Sequence, residues 1–267
     1  MRARASKAVL VLAAAALAAA PPRVAAQGLA ETMARIDDGS VRFTFPTRGG
    51  VEICHQGIRM GESRMMWHSR RGWDEATGCR TGPAQVEISK RNGEIRDVEV
   101  VGPWSSLVAG AVELGAFPAP EVADYLLSLV RSPGHDDVAR DAVFPLVLAD
   151  VEDVWRPLLD LARDPAISTK ARKSALFWVG QETASGVSTE LAGVAVEEGE
   201  DQEVRDAAVF ALSRRPPNEG LPFLMELART APQARTRKSA LFWLAESGDE
   251  RVIPFFEEIL LGREGGG

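Results

Sequence analysis

The sequence predicts a mainly α fold, an α-solenoid of stacked helix pairs preceded by a small antiparallel β unit. Three observations carry this prediction. The heptapeptide RKSALFW occurs at 172–178 and again, unchanged, at 237–243, 65 positions on. Arginines at 140, 172, 205 and 237 open stretches with apolar residues at spacings of three and four, and their intervals of 32, 33 and 32 residues suit one helix pair per unit. Before Pro103 the period is two, and Asn92-Gly93 lies between two alternating runs, where a tight hairpin turn needs residues that tolerate positive φ.

Residues 1–26 are expected to stand apart from this fold. Arg2, Arg4 and Lys7 form a basic start, Ala8 to Ala20 an apolar run of 13 residues, and Val24 and Ala26 the small residues of a cleavage site before Gln27. This is the pattern of a secretory signal peptide. A retained anchor is the alternative reading, but 13 residues fall short of the ~20 needed to span a bilayer. No cysteine follows the cleavage site to carry a lipid. The expected location is therefore periplasmic or extracellular. Loss of 1–26 removes four of the 31 basic residues, leaving 27 against 38 acidic ones and a net charge of −11. That balance argues against nucleic acid and against an anionic membrane surface.

The β unit is placed at 27–102. VRFTF (41–45) alternates cleanly; VEICHQGIRM (51–60) and SRMMWHS (63–69) are shorter candidates bounded by glycine; QVEISKRNGEIRDVEVV (85–101) is the hairpin. Val86, Ile88, Ile95, Val98 and Val100 are its expected buried residues. Four or five antiparallel strands make a marginal core alone, so the unit should pack on the helical region C-terminal to it. Cys54 and Cys79 are the only cysteines. An exported chain with an even count reads as a disulfide. A metal site with His55 and His68 is the alternative, but the spacing fits no zinc pattern.

The solenoid is placed at 103–262, with a Gly-rich tail at 263–267. Outer helices are expected at 120–131, 151–163, 187–198, 219–230 and 250–261, and inner ones at 137–149, 169–180, 202–213 and 234–246. A weaker helical pair is expected over 105–131. Ala175, Val179, Ala208, Leu212, Ala240 and Leu244 are predicted interior residues of the inner helices. Leu158, Leu161, Leu191, Leu224, Leu227, Phe256 and Leu260 should face them from the outer layer.

The stretch TRKSALFWLAESGDERVIPFFEEIL (236–260) resembles the HEAT repeat, in the short form found in bilin-lyase-type HEAT-like proteins. Arg237, Ala240, Leu244, Gly248, Asp249, Ile253, Pro254 and Leu260 match that pattern in register. EVRDAAVFALS (203–213) matches at Val204, Arg205, Ala207, Ala208, Ala211 and Leu212. The resemblance covers about 104–262. It implies a right-handed α-solenoid with the arginine-bearing helices on the concave side, and it says little about function, since such arrays serve scaffolds, adaptors and a few enzymes.

Two rows on the inner helices are candidate partner-binding residues. The residue after each aligned arginine alternates in sign, as Asp141, Lys173, Asp206 and Lys238, which predicts a charge ladder fixing the register of the repeats. Four residues further on stand Pro145, Phe177, Phe210 and Phe242, one turn along the same face. These aromatics either line a groove or pack between repeats with Trp178 and Trp243. No catalytic constellation is evident. The three histidines, His55, His68 and His135, are not followed by Glu, and no HExxH, GxSxG, CxxC or phosphate-binding glycine motif occurs. Asp136 or Asp137, after His135, reads as a helix N-cap, and the acidic 197–201 as a solvated turn. No metal or other cofactor is expected. The predicted function is an exported, non-enzymatic scaffold or adaptor for a protein or peptide partner. The alternatives are an envelope sensor using the β unit for recognition and, last, a lyase-like or metal-dependent enzyme.

Overall fold

A computed structural model describes residues 28–54, 57–60, 79–102 and 110–261. The expected signal peptide, the Gly-rich tail, the 63–69 strand, His55 and His68 all lie outside the described residues. The elements run α1 (Leu29–Ala34), β1 (Gly39–Phe45), β2 (Val51–Cys54), β3 (Gly57–Met60), β4 (Cys79–Arg80), β5 (Ala84–Arg91), β6 (Glu94–Val101), β7 (Val112–Ala116), and then nine helices among the described residues. These are α2 (Ala119–Val130), α3 (Asp136–Leu148), α4 (Trp155–Arg163), α5 (Thr169–Val179), α6 (Val187–Val196), α7 (Gln202–Ser213), α8 (Pro217–Thr230), α9 (Ala234–Glu246) and α10 (Val252–Leu261).

The hairpin forms where Asn92-Gly93 demands it. Both residues have positive φ, at 53° and 77°, and Arg91 pairs with Glu94 across the two-residue turn. The β5–β6 register shifts beside Ser89 and Lys90, which leaves Arg96 as an extra residue in β6. That bulge is why Ile95 and Val98, three apart, pack on the same core as Val100. The larger sheet has the order β6-β5-β1-β7, and a smaller one the order β3-β2-β4. Cys54 and Cys79 are opposite each other in β2 and β4 and are disulfide-bonded.

Two expectations about the N-terminal half need correction. The larger sheet is not wholly antiparallel: β7 pairs with β1 in parallel. The stretch 105–131 is not a helix pair either, since among its described residues it holds β7 and a single helix, α2. The reason is tertiary. The exposed, Gly-containing VELGA segment has little helical pattern of its own, and it gains backbone partners along β1, ending in Phe117 N–H donating to the Thr44 carbonyl at 2.9 Å.

The sheet and the helices share one core. Val41, Phe43, Val86, Ile88, Val98 and Val100 belong to the same buried cluster as the helix interiors. The chain leaving β1 reaches the end of α3, where Arg48 N–H donates to the Leu148 carbonyl at 3.0 Å and Asp150 N–H to the Pro46 carbonyl at 3.1 Å. Arg48 also pairs with Glu182 beyond α5, at 2.7 Å.

Inner helices α3, α5, α7 and α9 stack side by side, and α6 and α8 pack in the outer layer. The six predicted interior residues of the inner helices are all fully buried, as are Leu158, Leu161, Leu191, Leu224 and Leu227 in or near that state. Leu260 departs from expectation, being 82% exposed, because no described helix packs on the far side of α10. The turn 151–154 also departs, since α4 begins at Trp155 after Asp153 takes a positive φ of 50°.

The recurring arginine has one job in three of the four repeats. It reaches back to backbone carbonyls at the end of the preceding outer helix or in the loop just after it, which lack intrahelical donors. Arg172 Nε donates to the Ala162 carbonyl at 2.7 Å. Arg205 Nη1 donates to the Glu200 carbonyl at 2.7 Å, and Arg237 Nη1 to those of Ala231 and Pro232 at 2.6 and 3.0 Å. Arg172 is buried and also holds Glu200, so that acidic loop is not merely a solvated turn. In the first repeat Arg140 instead binds Asp137 and Asp141.

Close packing of the helix pairs depends on two glycines. A Cβ at Gly220 of α8 would stand 2.3 Å from the Leu212 carbonyl oxygen, and one at Gly180 would stand 2.9 Å from that of Ala211.

These contacts set the expected response of stability to two substitutions. Arg172→Met should lower the unfolding free energy by roughly 3–5 kcal/mol, because it strands the buried Glu200 carboxylate. Adding Glu200→Gln should recover part of that loss in urea titrations; full additivity of the two losses would refute the pairing. Gly220→Ala raises helix propensity by about 1 kcal/mol, yet overpacking against Leu212 should outweigh it and leave a net loss of about 1–3 kcal/mol. A stabilised variant in thermal unfolding would contradict the close approach.

Candidate functional site

The inner helices and β6 together enclose a groove of about 830 Å³. Val98, Glu99 and Val100 of β6 form one end. The floor is aromatic, with Phe144 from α3, Phe177 and Trp178 from α5, and Phe210 from α7. The rims carry charge from Arg140, Asp141, Lys170, Lys173, Glu203, Asp206 and Arg235.

The aromatic floor is a continuous stack across repeats. Phe144 stacks on Trp178 with centroids 4.8 Å apart, Trp178 meets Phe177 edge-on at 5.0 Å, and Phe177 stacks on Phe210 at 6.2 Å. Phe210 continues to Trp243 at 4.9 Å, and Trp243 to Phe242 at 5.0 Å. The two readings of the phenylalanine row are therefore both correct for Phe177 and Phe210. Each packs against a neighbouring repeat, and each remains half-buried, with the rest of its surface in the groove. Geometry of this kind adds about 0.5–1.5 kcal/mol per pair beyond area burial. The first member of the row is Phe144, not Pro145, which is buried inside α3.

The charge ladder exists, but it runs diagonally. Lys173 Nζ binds Glu203 at 2.7 Å, and Asp206 accepts from Arg235 at 2.9 Å. Asp137 accepts from Lys170 at 3.0 Å and from Arg140 at 2.9 Å. Lys173 and Asp206, each next to an aligned arginine, thus pair with the residue two places before the arginine of the next repeat. Adjacent inner helices are offset along their axes, so the straight Asp141–Lys173–Asp206–Lys238 row is replaced by a slanted one. Asp141 also holds Arg140 through two contacts of 2.8 and 2.9 Å, and this keeps the guanidinium pKa above its ordinary value.

Of the seven residues expected to bind a partner, the groove gathers Asp141, Lys173, Phe177, Asp206 and Phe210. Lys238 and Phe242 are exposed beyond it, at the far side of α9. Sequence reasoning missed the second charge row, Lys170, Glu203 and Arg235, whose alternating sign was available in the same repeat alignment. It also missed Val98, Glu99 and Val100, for which the sequence carries no signal, since only the packing of β6 beside α3 brings them to the groove.

The helix N-termini correct two smaller expectations. Asp136 and Asp137 are not N-caps but the first residues of α3, with His135 at the cap position. There the carboxylates favour the positive end of the helix dipole. Asp201 is a true cap for α7, its side chain accepting from Glu203 N–H at 2.8 Å. Among the described residues no group of three or more His, Cys, Asp and Glu side chains is placed to hold a metal ion. No described helix is long and apolar enough to cross a membrane.

No curated protein matches the chain. A family model for HEAT repeats matches residues 191–265, from the middle of α6 through α10. Repeats of this type generally mediate protein–protein interaction, and the match supports a HEAT-repeat assignment for the stretch it covers, residues 191–265.

Proposed function

We propose that this is an exported, non-enzymatic scaffold that holds a protein or peptide partner in the groove between β6 and the inner helices. The observation that carries the reading is the floor of Phe177 and Phe210, apolar and half-buried, framed by paired charges of both signs. Interfaces gain most of their affinity from aromatic anchors in such a setting, while rim charges govern encounter rate and selectivity. The Cys54–Cys79 disulfide supports the exported location, since such bonds persist in oxidising compartments. Because β6 supplies one end of the groove, the β unit takes part in recognition rather than standing beside it.

Two measurements test this. The protein recovered outside the cytoplasm should begin at Gln27; an unprocessed Met1 form confined to the cytoplasm would refute export. Partners captured from the envelope fraction should be lost when Lys173→Glu and Arg235→Glu are combined, since Lys173 is partly and Arg235 largely exposed and neither belongs to the buried core. A drop of about tenfold or more in affinity is expected. Undiminished binding by the folded double variant would move the site elsewhere.

A further inference from the structure

The two RKSALFW strings have different fates. Adding 65 to each residue number carries α5 and α6 onto α9 and α10 without a gap: Thr169 falls on Ala234, Val187 on Val252 and Val196 on Leu261. The first copy is covered. Its Lys173 is answered by Glu203 of α7, its Phe177 is stacked on Phe210 of α7, and Val194 and Ala195 of α6 are fully buried in the layer where α8 packs on α6. The second copy is bare. Lys238 has no ion-pair partner among the described residues, Phe242 is 54% exposed, and Ile259 and Leu260, the counterparts of Val194 and Ala195, are 41% and 82% exposed.

We infer that the outer face of α9 and α10 is a second docking surface, and that its occupant is an α-helix of a partner protein carrying an acidic residue and, seven positions later, an aromatic one. The chemistry is fixed by the covered copy. Glu203 and Phe210 of α7 are seven residues apart, two turns along one face, and they engage Lys173 and Phe177 together. Identical side chains on α9 present the same cation and the same ring to solvent. No described helix covers this face, and an exposed apolar face on such an array marks an interaction site. One difference between the copies bears on the fit. Ala245 stands where Gly180 lets α5 approach the backbone carbonyl of Ala211, so an incoming helix, the α7 peptide included, sits slightly farther out at that end. This surface is separate from the groove and does not rest on the groove's role.

The test uses full-length protein and a labelled, hydrocarbon-stapled peptide of residues 200–215, which carries Glu203 and Phe210. Fluorescence anisotropy should show saturable binding with a dissociation constant in the micromolar range. Lys238→Glu, an exposed change that circular dichroism should show to be folded, is expected to weaken binding about tenfold or more. The Glu203→Lys peptide should regain affinity for that variant. Absence of saturation, or affinity indifferent to Lys238→Glu, would overturn the proposal. So would a dimer in sedimentation that Leu260→Glu dissociates, because the occupant would then be a second copy of this chain.

Discussion

The array depends on how each outer helix ends. A helix leaves its last carbonyls without donors, and a solenoid buries those ends at every turn of the chain. Arg172, Arg205 and Arg237 reach from the next inner helix to these ends and the loops that follow them: to Ala162 within α4, to Ala231 at the C-cap of α8, and to the loop carbonyls of Glu200 and Pro232. A guanidinium suits the task because it offers several donors in a rigid plane and stays charged when buried. The same contact fixes the angle between an outer helix and its successor. Once that angle repeats, the small residues behind the arginine, Ala175, Ala208 and Ala240, meet the neighbouring helices at a common distance and are fully buried.

With the backbone so set, the side chains that face away from the outer layer are brought into rows. The offset between adjacent inner helices decides which rows touch. It turns a predicted straight ladder into the diagonal Lys173–Glu203 and Asp206–Arg235 pairs, and it lets phenylalanines and tryptophans from successive repeats stack without a gap from Phe144 to Phe242. Exposed ion pairs contribute little stability each, on the order of 0–1 kcal/mol. Their weight is in register, since a slip of one repeat would oppose Lys173 to Arg235 and Glu203 to Asp141.

Much of the helical half was legible in the sequence because a repeat states its period many times. Arg140, Arg172, Arg205 and Arg237 located every inner helix to within a residue or so, and Ala208 and Leu212 were identified as core from spacing and their place in the repeat. The β half was legible only where turn chemistry is strict, at Asn92-Gly93. β7 was missed because VELGA becomes a strand through its pairing with β1, a partner some 70 residues earlier, and nothing local announces that. The groove was half legible for the same reason. Its aromatic floor lies on the repeat period, whereas Val98, Glu99 and Val100 reach it through tertiary packing.

Identity of sequence is therefore not identity of role. RKSALFW at 172–178 is built into the array, its lysine and phenylalanine engaged by α7; at 237–243 the same seven residues meet no further described helix. A repeat interface is a binding site whose occupant is supplied by the chain itself. Where the chain supplies one, as α7 does for α5, the interface contributes to folding and is invisible as a site. Where no described helix comes next, the side chains that made it adhesive remain, and Lys238 and Phe242 keep the charge and the ring that Lys173 and Phe177 use inside the array. The order of the repeats, rather than the content of any one of them, decides which copy stabilises the fold and which is left to face another molecule.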